Sequence, residues 1–138
     1  MTTKTRFSTG FGRDTGIAAY PPMDEITADL GGGFAAVASL EHDSLTTPDE
    51  FDCYEADEIA AYEAGEWYYG TVTLTIRFGG QRIAMAGCIG GVEIHPDDED
   101  GYAAADEAAT ELLEECDTAK MIRKYARKVA AAAKTATR

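Results

Sequence analysis

The sequence predicts an α+β fold, in which a small antiparallel sheet of about two to four strands packs against an N-proximal helix and one or two C-terminal helices. Two strand-like runs flank Gly79-Gly80, a pair of glycines typical of a tight hairpin turn. Apolar residues recur at helical spacing both before and after this hairpin. The 138 residues suffice for one hydrophobic core, so we expect a single α+β domain over residues 34–138, with a basic C-terminal helix or tail at 118–138.

The N-terminal segment, residues 1–33, is predicted to be flexible or irregular. It is rich in glycine, threonine and proline, and it contains Pro21-Pro22 and the run Gly31-Gly32-Gly33. The apolar stretch from Phe34 to Leu40 follows it and predicts a short strand, although alanines weaken this signal.

A helix is predicted from Pro48 to Ala64. Thr47 supplies a capping hydroxyl, Pro48 suits the first helical position, and Glu50 can accept a hydrogen bond from the backbone before the helix. Gly65 is suited to end the helix. One face of this helix is apolar and the others carry carboxylates. The apolar residues are Phe51, Tyr54, Ile59 and Tyr62.

The clearest alternation of apolar and polar residues runs from Trp67 to Phe78 and predicts a half-buried strand. Its inner face should carry Val72, Leu74 and Ile76. After Gly79-Gly80 a second strand returns, from Gln81 to about Ile94. Its apolar face is expected to hold Ile83, Met85 and Ile89, while Gly87, Gly90 and Gly91 indicate a bulge or a close backbone approach.

The last helical region is predicted to open after His95-Pro96, where the acids of residues 97–100 favour the positive end of a helix dipole. An apolar stripe at helical spacing extends to Asp117, and its phase then shifts. We therefore expect a break near Asp117-Thr118, with Thr118 available as a cap. A second stripe follows, formed by Met121, Ile122, Tyr125 and Val129.

Charge is strongly segregated along the chain, whose net charge is −13. All 25 acidic residues lie between Asp14 and Asp117, and only Arg77 and Arg82 oppose them, which leaves this segment at −23. Residues 118–138 carry seven cations and no acid. An acidic body repels nucleic acid and anionic membranes and attracts basic proteins, so we expect it to bind neither nucleic acid nor membrane directly.

No residues form a recognisable catalytic motif. His42 and His95 lie outside any nucleophile–base motif, although a Cys88–His95 or Cys116–His42 pair in space is compatible with the sequence. With 25 acids, close carboxylate pairs are inevitable and therefore uninformative. The glycine-rich segments lack the lysine of a phosphate-binding loop. We predict a protein that is not an enzyme and has no cofactor.

Two patterns bear on metal binding. Asp98, Asp100, Gly101 and Glu107 match part of a calcium-binding loop, but Pro96 stands where its first aspartate is needed, and an acid-capped helix start is the preferred interpretation. The three cysteines are odd in number and lack CxxC spacing, which argues against a disulfide framework and a zinc site. We predict no metal site and expect three buried thiols, Cys53, Cys88 and Cys116.

Two further segments each leave alternatives open. Trp67, Tyr68 and Tyr69 can stack on bases, but the neighbouring Glu63 and Glu66 would repel phosphates, so a core or interface role is favoured. The basic tail can bind nucleic acid or an acidic partner. Alternatively it offsets the acidic body, within one chain or across a dimer.

Between Asp52 and Val72 the chain contains Asp52-Cys53-Tyr54, Ile59-Ala60-Ala61-Tyr62, Gly65, Trp67, Tyr69-Gly70 and Val72. This pattern resembles small uncharacterised accessory proteins of phages and prophages, in which a short helix, an aromatic-rich strand, a glycine hairpin and an acidic C-terminal helix follow in this order. The resemblance covers roughly residues 48–116, and the run Gly87-Cys88-Ile89-Gly90-Gly91 and the basic tail depart from it. It implies no reaction, but it raises one class of function, inhibitors of host defence such as anti-CRISPR or anti-restriction proteins.

The leading hypothesis is a non-enzymatic, phage-type inhibitor that acts as a DNA mimic on a basic, nucleic-acid-binding host protein in the cytoplasm. Carboxylates of the predicted helices 48–64 and 97–117 would form two rows that replace phosphates, so binding should weaken steeply with salt. The predicted partner-binding residues are Asp49, Asp52, Glu55, Asp57, Glu58, Glu63, Asp97, Asp98, Asp100, Glu107 and Glu111.

Two other hypotheses remain. The chain has only five lysines and many acids, a composition typical of proteins adapted to high salt, in which acidity says nothing about partners. The chain can also be a dimeric structural or regulatory module that assembles through the C-terminal helix. The predicted assembly residues are Met121, Ile122, Tyr125 and Val129.

Overall fold

A computed structural model describes residues 5–12 and 24–136. This part of the chain forms four strands and three α-helices, which confirms the predicted α+β class. No helix in it is both long enough and apolar enough to cross a membrane. The elements are β1 (Asp24–Gly31), β2 (Phe34–His42), a 3-10 turn (Pro48–Glu50), α1 (Ala56–Glu63), β3 (Tyr68–Phe78), β4 (Gln81–Ile94), α2 (Ala103–Glu115) and α3 (Thr118–Ala136).

The four strands form one antiparallel sheet in the order β1-β2-β3-β4. The predicted tight turn between β3 and β4 is confirmed, because Gly79 and Gly80 have φ angles of 57° and 83°. The turn lies at one end of the sheet, here called the glycine end. At the opposite end, β2 finishes at His42 beside Gly70, and β4 finishes at Ile94 beside Tyr68. We call this the acidic end, since the segments that leave it, residues 43–67 and 95–102, carry 13 of the 25 carboxylates.

The core lies between one face of the sheet and α2. Val72, Leu74 and Ile76 of β3 are fully buried in it, as their alternation predicted. Alanines on α2 let the helix approach the sheet closely, and two leucines fill the remaining space. The buried α2 residues are Ala105, Ala108, Ala109, Leu112 and Leu113.

The register of β4 against β3 shifts at three places, and each shift changes which side chains face the core. Ile83 and Ile89 pack against the core as predicted. Met85 does not, and with 59% of its surface exposed it corrects the predicted apolar face. The bulge predicted from the glycines is present, and Gly91 has a φ of 67°.

The prediction of an irregular segment 1–33 is wrong for β1, which starts at Asp24. Ile26 and Ala28 are buried while Thr27 between them is exposed. With two aspartates and few apolar residues, the segment has little intrinsic strand preference, so pairing with β2 and burial determine its structure. Phe11 is also buried in the core. The rest of the prediction, for residues 1–4 and 13–23, lies outside the described residues.

The single helix predicted from Pro48 to Ala64 is wrong as well. The capping interaction exists, since the Thr47 amide donates to the Glu50 carboxylate at 2.7 Å, but the 3-10 turn ends there. Residues 51–55 are not helical, and α1 starts afresh where the Glu55 amide donates to Glu58 at 3.1 Å. Gly65, with a φ of 79°, follows the end of α1 as predicted.

The last helical region begins later than its acids suggested, and breaks where predicted. Residues 96–102 form turns before α2, closed by a hydrogen bond of 3.1 Å from the His95 amide to the Gly101 carbonyl. α3 begins directly after Asp117. The Asp117 carboxylate accepts a 3.0 Å hydrogen bond from the Lys120 amide, so Asp117 rather than Thr118 caps this helix.

The prediction of three buried thiols is wrong. Cys53 and Cys88 are exposed, and Cys116 is half-buried. Burial would require another element packed over each thiol. Cys88 of β4 lies opposite Thr73 of β3, on the face of the sheet away from α2, and Cys53 lies in the non-helical segment before α1. Burial, with a smaller contribution from Asp117, raises the pKa of the Cys116 thiol.

The face of the sheet opposite α2 is crossed by an ion pair. Arg77 of β3 reaches Glu25 of β1 at 3.0 Å, over the intervening strand β2. Ser39 of β2 donates to the same carboxylate at 3.4 Å. Val37, which lies between the two strands on this face, is buried. The pair thus ties both neighbours of β2 together outside the apolar core.

Asp43 fastens the end of β2 to the bulge of β4. Asp43 is 9% exposed, and its carboxylate accepts hydrogen bonds from the Leu45 amide (3.0 Å), the Thr46 amide (3.2 Å), the Thr46 hydroxyl (2.8 Å) and the Gly91 amide (2.9 Å). Burial acts to raise the pKa of Asp43, but these donors outweigh it and hold the pKa below its ordinary value of 3.8.

We expect Asp43→Asn to lower the free energy of unfolding by about 2–3 kcal/mol at pH 7, since an amide nitrogen cannot accept the hydrogen bonds that Thr46 and Gly91 donate. The folded pKa lies below the unfolded one, so the charged carboxylate stabilises the fold above the unfolded pKa, and this contribution is lost as the pH falls through the folded pKa. Urea unfolding from pH 7 to about pH 2 measures it.

The difference between wild type and Asp43→Asn should therefore shrink in acid. A difference that stays constant over this range would contradict the role assigned to the charge. Asp97→Asn is the matched control, because Asp97 is exposed in the loop after β4, and it should change the free energy of unfolding by less than about 0.5 kcal/mol.

Candidate protein-docking surface

All eleven carboxylates predicted to bind a partner are exposed. In the part of the chain that the structure describes, none of them forms an ion pair, and the acids with a basic side chain within reach are Glu25, beside Arg77, and Glu93, beside His95. The eleven are Asp49, Asp52, Glu55, Asp57, Glu58, Glu63, Asp97, Asp98, Asp100, Glu107 and Glu111. Their mutual repulsion is thus left to solvent and counterions to offset.

The two predicted rows do not form as expected. The first six acids are divided between the 3-10 turn, the non-helical residues 51–55 and the short α1, so no single helix aligns them. Of the other five acids, Asp97, Asp98 and Asp100 lie in the loop after β4, and Glu107 and Glu111 lie one turn apart on α2. The structure replaces two parallel rows by two acidic segments at one end of the sheet.

Trp67 connects these two segments. Its ring stacks on His95, with centroids 5.3 Å apart and planes inclined by 19°. Its Nε1–H donates to the backbone carbonyl of Glu58 in α1 at 2.9 Å. Trp67 is 4% exposed and therefore forms a rigid link between α1 and the loop that starts at His95. We call the surface formed by Glu55, Asp57 and Glu58 together with Asp97, Asp98 and Asp100 the acidic corner.

An aromatic cluster supports the acidic corner from below, which confirms the core role predicted for Trp67, Tyr68 and Tyr69. Tyr54 and Tyr62 each lie against the Trp67 ring, at 5.4 and 5.1 Å between centroids. The hydroxyl of Tyr69 donates to that of Tyr54 at 2.9 Å. Burial, followed by the Tyr69 hydrogen bond and Glu93, raises the pKa of Tyr54. These phenols therefore remain protonated and serve packing.

A cavity of 520 Å³ opens beside the acidic corner at the start of α2. Asp98, Asp100 and Asp106 line it, with the Tyr102 ring on one side. Asp106 also accepts a hydrogen bond from the Phe11 amide at 2.7 Å. A concave surface lined by carboxylates and one aromatic ring is chemically suited to a lysine or arginine side chain.

The partial calcium-loop match acquires no further support. Gly101 lies in a tight turn, with its amide 3.1 Å from the Asp98 carbonyl, and Glu107 lies on α2. Among the described residues, no three His, Cys, Asp or Glu side chains are grouped so that they could hold a metal ion.

The sequence allowed two cysteine–histidine pairs, but the contacts of these cysteines in the structure are with other residues. Cys88 lies opposite Thr73 within the sheet, whereas His95 stacks on Trp67 and contacts Glu93 at 3.2 Å beyond the end of β4. The Cys116 thiol contacts the sulfur of Met121 at 3.6 Å. A thiol with a raised pKa is a weak nucleophile at neutral pH.

Three of the four predicted assembly residues are half-buried against the rest of the protein, and the fourth, Val129, is exposed. Met121 packs against the core, and the Tyr125 ring contacts Phe34 and Phe78 at 6.1 and 5.8 Å between centroids, which attaches α3 to the glycine end. Ile122 is half-buried. Val129 is 49% exposed and has passed beyond these contacts, so the apolar stripe of α3 continues into solvent.

Sequence reasoning missed the link between Trp67 and His95 and the surface role of Leu45. His95 follows an isoleucine and precedes a proline, and nothing local associates it with an aromatic ring. The contact arises because Tyr68 pairs with Ile94, a register that depends on the bulges of β4. Leu45 is 89% exposed, although as an isolated leucine it gave no sequence signal.

We expect Trp67→Ala to loosen both acidic segments together and to cost about 3–5 kcal/mol of stability. Trp67→Phe keeps a ring against His95 but loses the hydrogen bond to Glu58, at about 1 kcal/mol. Amide hydrogen exchange should accordingly rise over α1 and residues 95–101 in the alanine variant, and over α1 in the phenylalanine variant.

The phenylalanine variant keeps this test informative if the alanine variant does not fold. Phe78→Ala is the control at the glycine end, where it should raise exchange at the start of α3 and leave the acidic corner unchanged. Exchange that rises in α1 of Trp67→Ala without any change in residues 95–101 would contradict the link.

Comparison with known proteins adds no constraint: no family model, no curated protein and no solved structure matches this chain. The function must therefore be inferred from the acidic corner itself.

Proposed function

We propose that this protein is a non-enzymatic, phage-type inhibitor that places its acidic corner on the basic, nucleic-acid-binding surface of a host defence complex. The observation that carries the proposal is the set of eleven exposed carboxylates without an ion pair in the described chain, six of which lie on the two segments that Trp67 joins. The protein then acts as a DNA mimic through protein–protein contact alone.

The physical basis is electrostatic. A groove that binds nucleic acid is lined by lysines and arginines, which hold counterions when no phosphate is present. Fixed carboxylates release those counterions as phosphates do, and they speed association by steering. Because Trp67 joins α1 to the loop after β4, the backbone that carries the carboxylates is ordered before binding, and little backbone entropy is lost.

The acid-lined cavity next to the corner adds a specific contact. With Asp98 and Asp100 on its walls, it can receive one cationic side chain from the partner's groove, while the corner covers the neighbouring surface. Bidentate pairing of an arginine with these carboxylates would supply geometric specificity in addition to charge.

Salt adaptation is the competing explanation of the acidity, and it requires acids over the whole surface. Their distribution favours docking instead. The face of the sheet opposite α2 carries three hydroxyls and one acid on its central strands, at Ser39, Thr71, Thr73 and Glu41, and α3 carries cations only. The carboxylates are concentrated at the acidic end and along α2.

Charge reversal at the corner tests the proposal. Asp57→Lys combined with Asp98→Lys should reduce inhibition at least about tenfold, because like charges would then face the basic partner. The readout is the plating efficiency of a phage on strains that each carry one restriction or CRISPR system, followed by competition with duplex DNA for the purified effector at several salt concentrations.

The matched control is Asp29→Lys combined with Glu115→Lys, which changes the net charge equally at exposed positions away from the corner and should retain inhibition within about threefold. Equal loss in both variants, or competition that does not weaken with salt, would contradict the proposed interface. Failure to inhibit any system, together with a large gain of melting temperature in molar potassium chloride, would establish salt adaptation instead.

A further inference from the structure

A groove at the glycine end remains open. It lies between α3 and the edge strand β4, with a volume of 230 Å³. Ile83, Met85 and Tyr125 line it with apolar surface, and Lys124 and Lys128 add positive charge. An apolar cavity of about 150 Å³ accommodates a benzene molecule, so this groove has room for one aliphatic side chain. Met85 is 59% exposed, which leaves much of this apolar surface in water.

A single apolar side chain projects from the acidic end of the same molecule. Leu45 is 89% exposed, the largest exposed fraction among the large apolar residues described. It is held in place by its own backbone, since the Leu45 amide donates to the Asp43 carboxylate. The following turn brings exposed acids close to it in the chain, including Asp49 and Glu50. Leu45 is thus an ordered apolar contact with acidic neighbours.

These two features cannot meet within one molecule. The loop with Leu45 leaves the end of the sheet where His42 pairs with Gly70, whereas Ile83 and Met85 lie close to the Gly79-Gly80 turn. Along β3, six residues separate Gly70, which pairs with His42, from Ile76, which lies beside this part of β4. At about 3.3 Å per residue this distance is roughly 20 Å. Only a second molecule can bring a leucine with acidic neighbours to the groove.

We propose that a second copy of this chain occupies the groove: Leu45 of one copy inserts between α3 and β4 of the next, with the acids after Leu45 opposite Lys124 and Lys128. The contact joins unlike surfaces, so it is head-to-tail and generates open chains or rings rather than a closed pair. It goes beyond the proposed function, because Leu45 and the groove lie outside the acidic corner.

Charge favours this occupant over symmetric pairing through α3. The described part of α3 carries six cations and no acid, and Arg123, Lys124, Arg127 and Lys128 are exposed. Two such helices side by side would repel each other along their whole length. Strand addition at β4 is disfavoured too, since its three register shifts interrupt the ladder that a new strand would need.

Two complementary variants test the proposal on the full chain. Leu45→Ser removes the inserting side chain but keeps the groove, and Lys124→Glu combined with Lys128→Glu reverses the groove's charge but keeps Leu45. Sedimentation velocity from about 5 to 500 µM should show concentration-dependent oligomers for the wild type and monomers for each variant. An equimolar mixture of the two variants should form dimers and nothing larger, since only one contact can then be made.

Arg123→Glu combined with Arg127→Glu is the matched control, which makes the same charge change on another side of α3 and should still form oligomers. A monomeric wild type at the highest concentration would overturn the proposal, as would a monomeric mixture. A Leu45→Ser variant that still dimerises would show pairing through α3 instead. Leu45→Ser should also retain inhibition in the plating assay, so assembly and inhibition are separable.

Discussion

Repulsion among carboxylates is the constraint under which this chain folds. Residues 14–117 contain 25 acids against two arginines, so the fold has to keep nearly all of them at the surface. Among the described residues, Asp43 is the one buried charged side chain, and backbone and hydroxyl donors surround its carboxylate. The apolar layer between the sheet and α2 provides the stabilisation that opposes this repulsion.

The same constraint explains how the acidic end is built. A continuous helix over residues 48–64 would place its acids one turn apart, where like charges destabilise one another. The chain instead interrupts the helix and uses Phe51 and Tyr54 in an aromatic cluster with Tyr69. Packing of rings against Trp67 fixes α1 on the sheet without any buried charge.

The sequence predicts those elements whose signal is local. The alternation of Val72, Leu74 and Ile76, the positive φ of Gly79 and Gly80, and the break at Asp117 each follow from a few neighbouring residues. β1 could not be predicted because its strand structure depends on pairing with β2, and Met85 could not be placed because the bulges of β4 reverse its direction. For the candidate site, exposure of the eleven acids follows from their charge. The connection between the two segments that carry six of them depends on the contacts of Trp67 with Glu58 and His95, which no spacing encodes.

Segregation of charge along the chain becomes segregation in space. The sheet separates the acidic end from the basic α3, which is attached at the glycine end through Tyr125. Exposed apolar surface accompanies charge at both ends, with Leu45 beside acids at the acidic end and Met85 beside the cations of α3 at the glycine end. A molecule of this kind is suited to recognise oppositely charged proteins, and the rigidity of its two ends determines how specific that recognition is.

The central claim is that the acidic corner is an ordered docking surface rather than a diffuse negative charge. The most direct measurement is a nuclear magnetic resonance titration of the labelled protein with a short arginine- and lysine-rich peptide at low and moderate salt. Amide shifts confined to α1 and residues 95–101, together with the Trp67 indole N–H, and vanishing as salt is added, are the expected result. Shifts of equal size along β1, at Asp29, and at the end of α2, at Glu115, would contradict it.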